Sequence, residues 1–378
     1  ARTGLVSVSV ALLKLVAAND TFGALVAVTE ALAGKHALFI APPETNGLMP
    51  EVHGLPDQVA DDVAFVVQSS GSTGTPKTIE LTAEAAIASA KASEQRLGGP
   101  GQWLLALPLN YIAGLNVLIR SAVAENQPVM MNPSVPFTPE AFVSSASFMR
   151  GERKYTALVP TQLSRLALAA ERDENVLLAL KSFDAILVGG QATPPSLIAQ
   201  LVEKGVNVVT TYGSTETFGG VVYNGKPLDG VSISLTEDSL IEIQSPTLAK
   251  DYAPKFVTND IGQLVDGELQ VVGRADRVII SGGIKVSLDR VEVIAREIPG
   301  VVELVAAPIV DHEWGQRVGL IYLGSPEVAD EIALQLADLL GPAAKPLRIL
   351  RVDQVPKLTN GKYDLLAASA IFAKDSND

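Results

Sequence analysis

The chain has 378 residues, 47% of them hydrophobic, a formal net charge of −13 and no cysteine. Length and apolar content predict a folded protein of two domains, one clearly larger. The acidic balance argues against a nucleic-acid partner, and the missing cysteines remove disulfides, thiolate metal sites and a covalent thioester to the protein. Any phosphate site must be local, built from backbone amides and a few cations.

Taken from the start, "LVSVSVALLKLVAA" is apolar but is interrupted by Lys14 and is too short to cross a bilayer. It also lacks the charged start and cleavage site of a secretory signal, so a cytoplasmic protein without a membrane span is expected. A chain beginning on Ala1 is compatible with a short native stretch missing ahead of it. From about Ala64 to Tyr212, β-branched runs ("AFVVQ", "WLLAL", "YTALVP", "DAILVGG", "NVVTTYG") alternate with helical stretches such as Thr82–Leu97, Thr138–Phe148 and Pro195–Lys204. Thr82 suits an N-cap. The alternation predicts an α/β fold, a mostly parallel sheet with helices on both faces, whose ligands collect at the carboxyl ends of strands. Three suggestive loops, "SSGSTGTPK", "GGQATPP" and "YGSTETFGG", follow strands, which favours one shared crevice.

From about Val231 the pattern becomes short strands, "SISL", "LIEIQS", "GQLVD" and "ELQVVG", with Asp266–Gly267 as a hairpin turn. This predicts a small β-rich lobe completing a large N-terminal domain, residues 1–275. Beyond "GRADR" come a helix over Leu288–Glu297, strands "VELVAAPIV" and "GLIYLG", a helix over Ala329–Leu340 and a strand "LRILRV". They predict a small α+β domain, residues 276–378.

The segment Ser69–Lys77, "SSGSTGTPK", concentrates hydroxyls, two glycines and a lysine behind a strand, the equipment of a loop whose backbone approaches a polyphosphate. It is not the P-loop of NTPases, because Pro76 stands where that motif has its second glycine. In "TTYGSTETFGG" the carboxylate of Glu216 beside threonine hydroxyls suits a magnesium ion riding on phosphate oxygens, and Tyr212 could stack on a base or pack in the core. Arg274 and Asp276 in "GRADRVIISGGIKVS" read singly as a surface ion pair, and Lys362 in "PKLTNGKYD" as a solvated turn lysine.

These four segments, in this order, resemble the adenylate-forming superfamily of acyl-CoA synthetases, nonribosomal adenylation domains and beetle luciferases. The resemblance spans roughly residues 60 to 370. It implies an acid–thiol ligase that uses ATP, magnesium and coenzyme A, working through an acyl-adenylate. By that resemblance Ser69, Ser70, Gly71, Ser72, Thr73, Gly74 and Lys77 hold the β- and γ-phosphates. Tyr212 and Gly213 lie at the adenine, Thr215 at the α-phosphate, and Glu216 binds the metal. Gly189, Gly190 and Gln191 flank the adenine, Asp260 and Arg274 take the ribose, Asp276 is the hinge and Lys362 the catalytic lysine.

Only 68 residues precede Ser69. This shape resembles the short-form o-succinylbenzoate–CoA ligases of menaquinone biosynthesis. So do "LGGPGQWLLALPLNYIAGLNVLIRS" and "TYGSTETFGGVVYNGKPLDGV". Tyr111 stands where that branch usually has histidine, and Leu288 where the superfamily has proline. Tyr111, Gln162 and Arg165 are the candidates facing the carboxylate substrate. Open alternatives are another acid, a carrier-protein thiol, and a non-catalytic adenylate-binding module. The oligomeric state is also open, a homodimer being one candidate. His36, His53 and His312 lie outside every motif and read as surface or packing residues.

Overall fold

The computed structural model describes residues 9–69, 77–358 and 361–374. The chain divides into two compact units: Ala1–Gly190 with Gln200–Ser232 and Ile243–Phe256, and Gln191–Ala199 with Ile233–Glu242 and Val257–Asp378.

The chain first forms β1 (Val10–Ala17), α1 (Thr21–Leu32), β2 (Ala37–Ala41), β3 (Gln58–Ala60), β4 (Val63–Ser69), β5 (Lys77–Thr82) and α2 (Ala83–Leu97). The strands form a sheet in the order β3-β1-β2-β4-β5, parallel through β1, β2 and β4 with antiparallel edges. Strand β2, "ALFIA", is buried throughout because both faces are covered. Leu38 and Ile40 join one apolar cluster while Ala37, Phe39 and Ala41 join another. Helix α2 starts as expected, with the Thr82 hydroxyl accepting from Ala85 N at 3.1 Å. "KTIELT", not among the strands expected from the sequence, is β5, antiparallel to β4 with Ser69 opposite Lys77. Its Ile79 and Leu81 face the core, an alternation too short to stand out beside the loop residues.

Next come β6 (Gln102–Leu105), α3 (Ile112–Val123), β7 (Val129–Met130), α4 (Pro139–Ala146), β8 (Lys154–Leu158), α5 (Pro160–Ala170), α6 (Glu174–Lys181), β9 (Ala185–Gly189), α7 (Pro195–Glu203), β10 (Val208–Ser214), β11 (Gly219–Tyr223) and β12 (Lys226–Pro227). The sheet order is β12-β11-β10-β9-β8-β6-β7, parallel from β10 to β7. This is the predicted α/β layer, and it brings the carboxyl ends of β9 and β10 side by side, Gly189 opposite Thr211.

The second unit carries most of a four-stranded sheet, β13 (Ser232–Leu235), β14 (Leu240–Gln244), β15 (Phe256–Val265) and β16 (Glu268–Arg274) in that order. Asp266 and Gly267, at φ 51° and 83°, make the expected turn between β15 and β16. There follow β17 (Val278–Ser281), β18 (Ile284–Ser287), α8 (Leu288–Arg296), β19 (Val301–Asp311), β20 (Gly315–Gly324), α9 (Val328–Leu340), β21 (Arg348–Arg351) and α10 (Leu365–Lys374). Strands β18-β17-β20-β19 form a sheet extended by β21 against β20. Along β19, Leu304 and Ala306 pack with α8 and α9, while Val305, Ala307 and Ile309 pack with Ala368 and Phe372 of α10. Burial on both faces explains its unbroken apolar run. No helix among the described residues is long and apolar enough to cross a membrane.

Candidate active site

In the first unit, the end of β10 is held by a tight turn. The Thr217 hydroxyl accepts from Ser214 N at 2.8 Å and lies 2.7 Å from the Gly219 carbonyl oxygen, to which it donates. Phe218 sits at φ 57° with its ring fully buried edge-on to Phe65, and its carbonyl accepts from Asn116 Nδ2 at 2.8 Å. Chain β11 passes so close that a Cβ on Gly213 would lie 1.9 Å from the Gly219 oxygen, which is why a glycine stands there. The turn leaves Tyr212, Thr215 and Glu216 half-buried beside Gly189 and Gly190, which end β9.

A segment outside the expected motif completes this cluster. Thr247 Oγ1 donates to Thr217 O at 2.9 Å, and Ala249 N donates to Glu216 O at 2.8 Å, docking the stretch that ends in a 3-10 turn over Lys250–Tyr252. Tyr252, edge-on to Phe256, thereby meets Lys77, whose Nζ is 4.8 Å from the ring centroid. The hydrogen bond with Tyr252 raises the Lys77 pKa above that of a free lysine, and Glu216 and Asp251 add to the same direction. Lys77 is thus a fixed ammonium with an acidic neighbourhood. The sequence gives no local signal of this pairing, because nine strands, β6 to β14, separate Lys77 from Tyr252 in chain order. Ser70, Gly71, Ser72, Thr73 and Gly74 lie outside the described residues.

The three residues expected at the substrate are carried by the start of α3 and by α5. Tyr111 is the N-cap position of α3 and is half-buried, its carbonyl accepting from Leu115 N. Gln162 has both ends of its amide engaged in the fold: Oε1 accepts from Val159 N at 3.1 Å, and Nε2 donates to Ala106 O at 2.9 Å. It ties the start of α5 to the stretch leading into Tyr111, with one N–H of Nε2 used in doing so. Arg165 is exposed on α5.

In the second unit, Asp260 and Arg274 are cross-strand partners on β15 and β16, with Nη1 to Oδ1 at 3.3 Å. The rest of the Arg274 guanidinium forks onto Asp276, Nε to Oδ1 at 2.8 Å and Nη2 to Oδ2 at 2.6 Å. That contact depresses the Asp276 carboxyl below the usual range and raises Arg274. Lys362 belongs to the same group. Burial holds its ammonium below the usual lysine pKa, Arg274 pushes further in that direction, and Asp260 opposes. Gln191 is half-buried in this unit, its Oε1 shielded and without a hydrogen-bond partner. Beneath the group runs an ion network absent from the motif reading. Arg277 pairs with Asp289 at 2.8 Å and Glu292 at 2.5 Å, and Glu292 pairs with Arg296 at 2.6 Å. Asp289 also accepts from Arg274 N at 2.7 Å, while burial raises its pKa against the pull of Arg277.

Residues 9–248 match the AMP-binding enzyme family. The chain belongs to that family. Its similarity extends past the matched region: it is 36% identical over 369 residues to a probable 2-succinylbenzoate–CoA ligase of Mycobacterium tuberculosis, covering 93% of this chain and 95% of the other. It is 29% identical over 330 residues to the 2-succinylbenzoate–CoA ligase of Lactococcus lactis, covering 80% and 70%. Among solved structures, the fold is like that of the o-succinylbenzoate CoA synthetase of Bacillus subtilis in complex with the acyl-adenylate intermediate. The TM-score is 0.71 at 24% identity, covering 92% of this chain and 80% of that one. As an AMP-binding enzyme the chain has the α/β architecture expected of it, and the turn at Gly213–Gly219 falls inside the region the family defines.

Proposed function

We propose that the protein is an AMP-forming acid–CoA ligase that converts 2-succinylbenzoate, ATP and CoA to 2-succinylbenzoyl-CoA, AMP and pyrophosphate, as a step toward menaquinone. The observation that carries this reading is the near end-to-end similarity to a curated ligase of that substrate, over 93% of this chain.

The chemistry asks for charge neutralisation. A carboxylate oxygen must attack an anionic α-phosphorus and expel pyrophosphate, so fixed positive groups near the phosphates lower the barrier. In this proposal Lys77, held by Tyr252, and the Ser69–Lys77 segment bind the terminal phosphates. Tyr212 lies on the adenine with Gly189, Gly190 and Gln191 beside it, and Thr215 donates to the α-phosphate. Asp260 accepts from the ribose hydroxyls, with Arg274 set between it and Asp276, and Lys362 presents its ammonium to the oxygen that gains charge. In the second step the CoA sulfur attacks the acyl carbon, loses its proton, and expels AMP. The part of the chain after Asp276 rotates between the two steps, so Lys362 serves only the first.

Among the described residues no group of three or more His, Asp or Glu side chains could hold a metal. The Glu216 carboxylate alone fits magnesium if phosphate oxygens and water complete the shell, which is how that ion is usually bound with nucleotides. Bound there, magnesium would offset phosphate charge. The deciding experiment is CoA-dependent AMP formation with 2-succinylbenzoate, beside benzoate and a medium-chain fatty acid. Turnover with the first alone is expected. Activity only with another acid would keep the mechanism and discard the substrate and pathway.

A further inference from the structure

The turn that carries Lys362 is tied down from one side. Lys357 and Tyr363 form an isolated antiparallel bridge, Leu358 N donates to Lys362 O at 2.8 Å, and Asp364 N donates to Pro356 O at 3.0 Å. Gly361, at φ 81°, makes the sharp reversal and donates to Leu358 O at 3.0 Å. Thr359 and Asn360 lie outside the described residues. The Tyr363 ring has two cations over it: Arg296 Cζ at 5.1 Å from the centroid and Lys357 Nζ at 5.8 Å. Neither cation can drift. Lys357 is paired with Glu303 at 2.6 Å, the two side chains only 15% and 14% exposed. Arg296 pairs with Glu292 and donates to Leu304 O at 2.7 Å through Nη2 and 3.2 Å through Nε. Glu292 is itself fixed by Ala306 N at 2.9 Å and by Arg277.

We propose that Tyr363 is a positioning residue whose ring, held by the anchored cations of Arg296 and Lys357, fixes the turn so that Lys362 stays against Arg274 and Asp260. The inference rests on reading Lys362 as the adenylation lysine. Two largely buried ion pairs converging on one ring are more than the stability of a terminal turn calls for. Buried pairs of this kind return little net stability, whereas they restrict geometry sharply. Burial pushes the Tyr363 hydroxyl up to about 12, so the phenol is neutral throughout the working range and the ring is what the cations meet. A lysine on a flexible stem is effective only when its backbone is held, since a shift of about 1 Å in a reacting group can cost on the order of 10²-fold in rate.

The test separates the half-reactions, using pyrophosphate exchange for adenylation and thioester formation from supplied acyl-adenylate for the second step. Tyr363→Ala is expected to lower the kcat of exchange by about 10²-fold, with the ATP KM unchanged and the second step spared. Tyr363→Phe, which keeps the ring, is expected to restore exchange. Wild-type exchange in Tyr363→Ala would overturn the proposal, as would an equal loss in both half-reactions accompanied by a lowered Tm, the mark of a merely structural role. Lys362→Ala is run beside them. If it retains exchange, the reading of Lys362 is what fails; if it is inactive while Tyr363→Ala is not, the positioning role fails alone. Should Tyr363→Ala prove insoluble, the double variant Lys357→Met, Glu303→Leu removes one cation without leaving a lone buried charge. A selective loss of exchange there supports the positioning role, and unchanged exchange overturns it.

Discussion

Lys362, the proposed adenylation lysine, shows what burial does to a cation. Its ammonium loses hydration and faces Arg274, both of which favour the neutral amine, and Asp260 only partly compensates. The charged form is the one adenylation needs, so activity must fall as pH rises through the lowered pKa. The alkaline limb of kcat/KM, which reports the free enzyme, is therefore expected below the range of an ordinary lysine. In kcat the limb should move back up, because bound nucleotide phosphates favour the ammonium. A pH profile with coincident limbs would count against Lys362 contacting the nucleotide. Removing the group altogether, in Lys362→Ala, should cost on the order of 10²–10³ in adenylation rate while the protein stays folded, measured by pyrophosphate exchange beside a thermal melt.

At the scale of elements, the turn after β10 is the most instructive. Its composition, "YGSTETFGG", marks it as a candidate site because a carboxylate, hydroxyls and glycines at a strand end have few bland uses. What the string does not disclose is the division of labour. Thr217, between the candidate ligand Glu216 and buried Phe218, faces inward and holds the backbone, whereas Thr215 and Glu216 remain half-buried. Thr217→Val keeps the shape but leaves Ser214 N without its acceptor, which costs about 1–3 kcal/mol for a buried donor. The expected result is a lower Tm together with weaker AMP binding by calorimetry. A variant that melts earlier but binds AMP normally would show that the turn supports the fold alone. Strand β5 was missed for a related reason: only two of its side chains, Ile79 and Leu81, are in the core, and its pairing with β4 is a long-range fact. Gln162 reads two ways in the sequence, because an amide three residues into a helix suits a cap as well as a substrate donor, and the structure shows the cap.

Over the whole chain, alternation of strand and helix announced the parallel sheet, since each continuous apolar run is buried on both faces. The ion network of Arg277, Asp289, Glu292 and Arg296 was not legible, because Arg277 lies in the turn before β17, the other three sit on the β16-facing and β19-facing sides of α8, and their spacing does not distinguish them from a solvated charged face. That network begins one residue after Asp276, and this placement gives the proposed hinge a physical form. Asp276 lies in a 3-10 turn between β16 and β17, tied backward to Arg274, while Arg277 is tied forward into α8. Rotation would then be confined to the backbone between two anchored arginines. Proline at 276 fixes φ near −65° and restricts the preceding residue. Asp276→Pro is therefore expected to spare adenylation and cripple thioester formation. It also removes the carboxylate that orients Arg274, so Asp276→Ala is the necessary companion: it loses the same contact but keeps the rotation, and should weaken ATP binding while leaving the two half-reactions in their normal ratio. If proline and alanine change that ratio alike, the effect belongs to Arg274 and the pivot lies elsewhere.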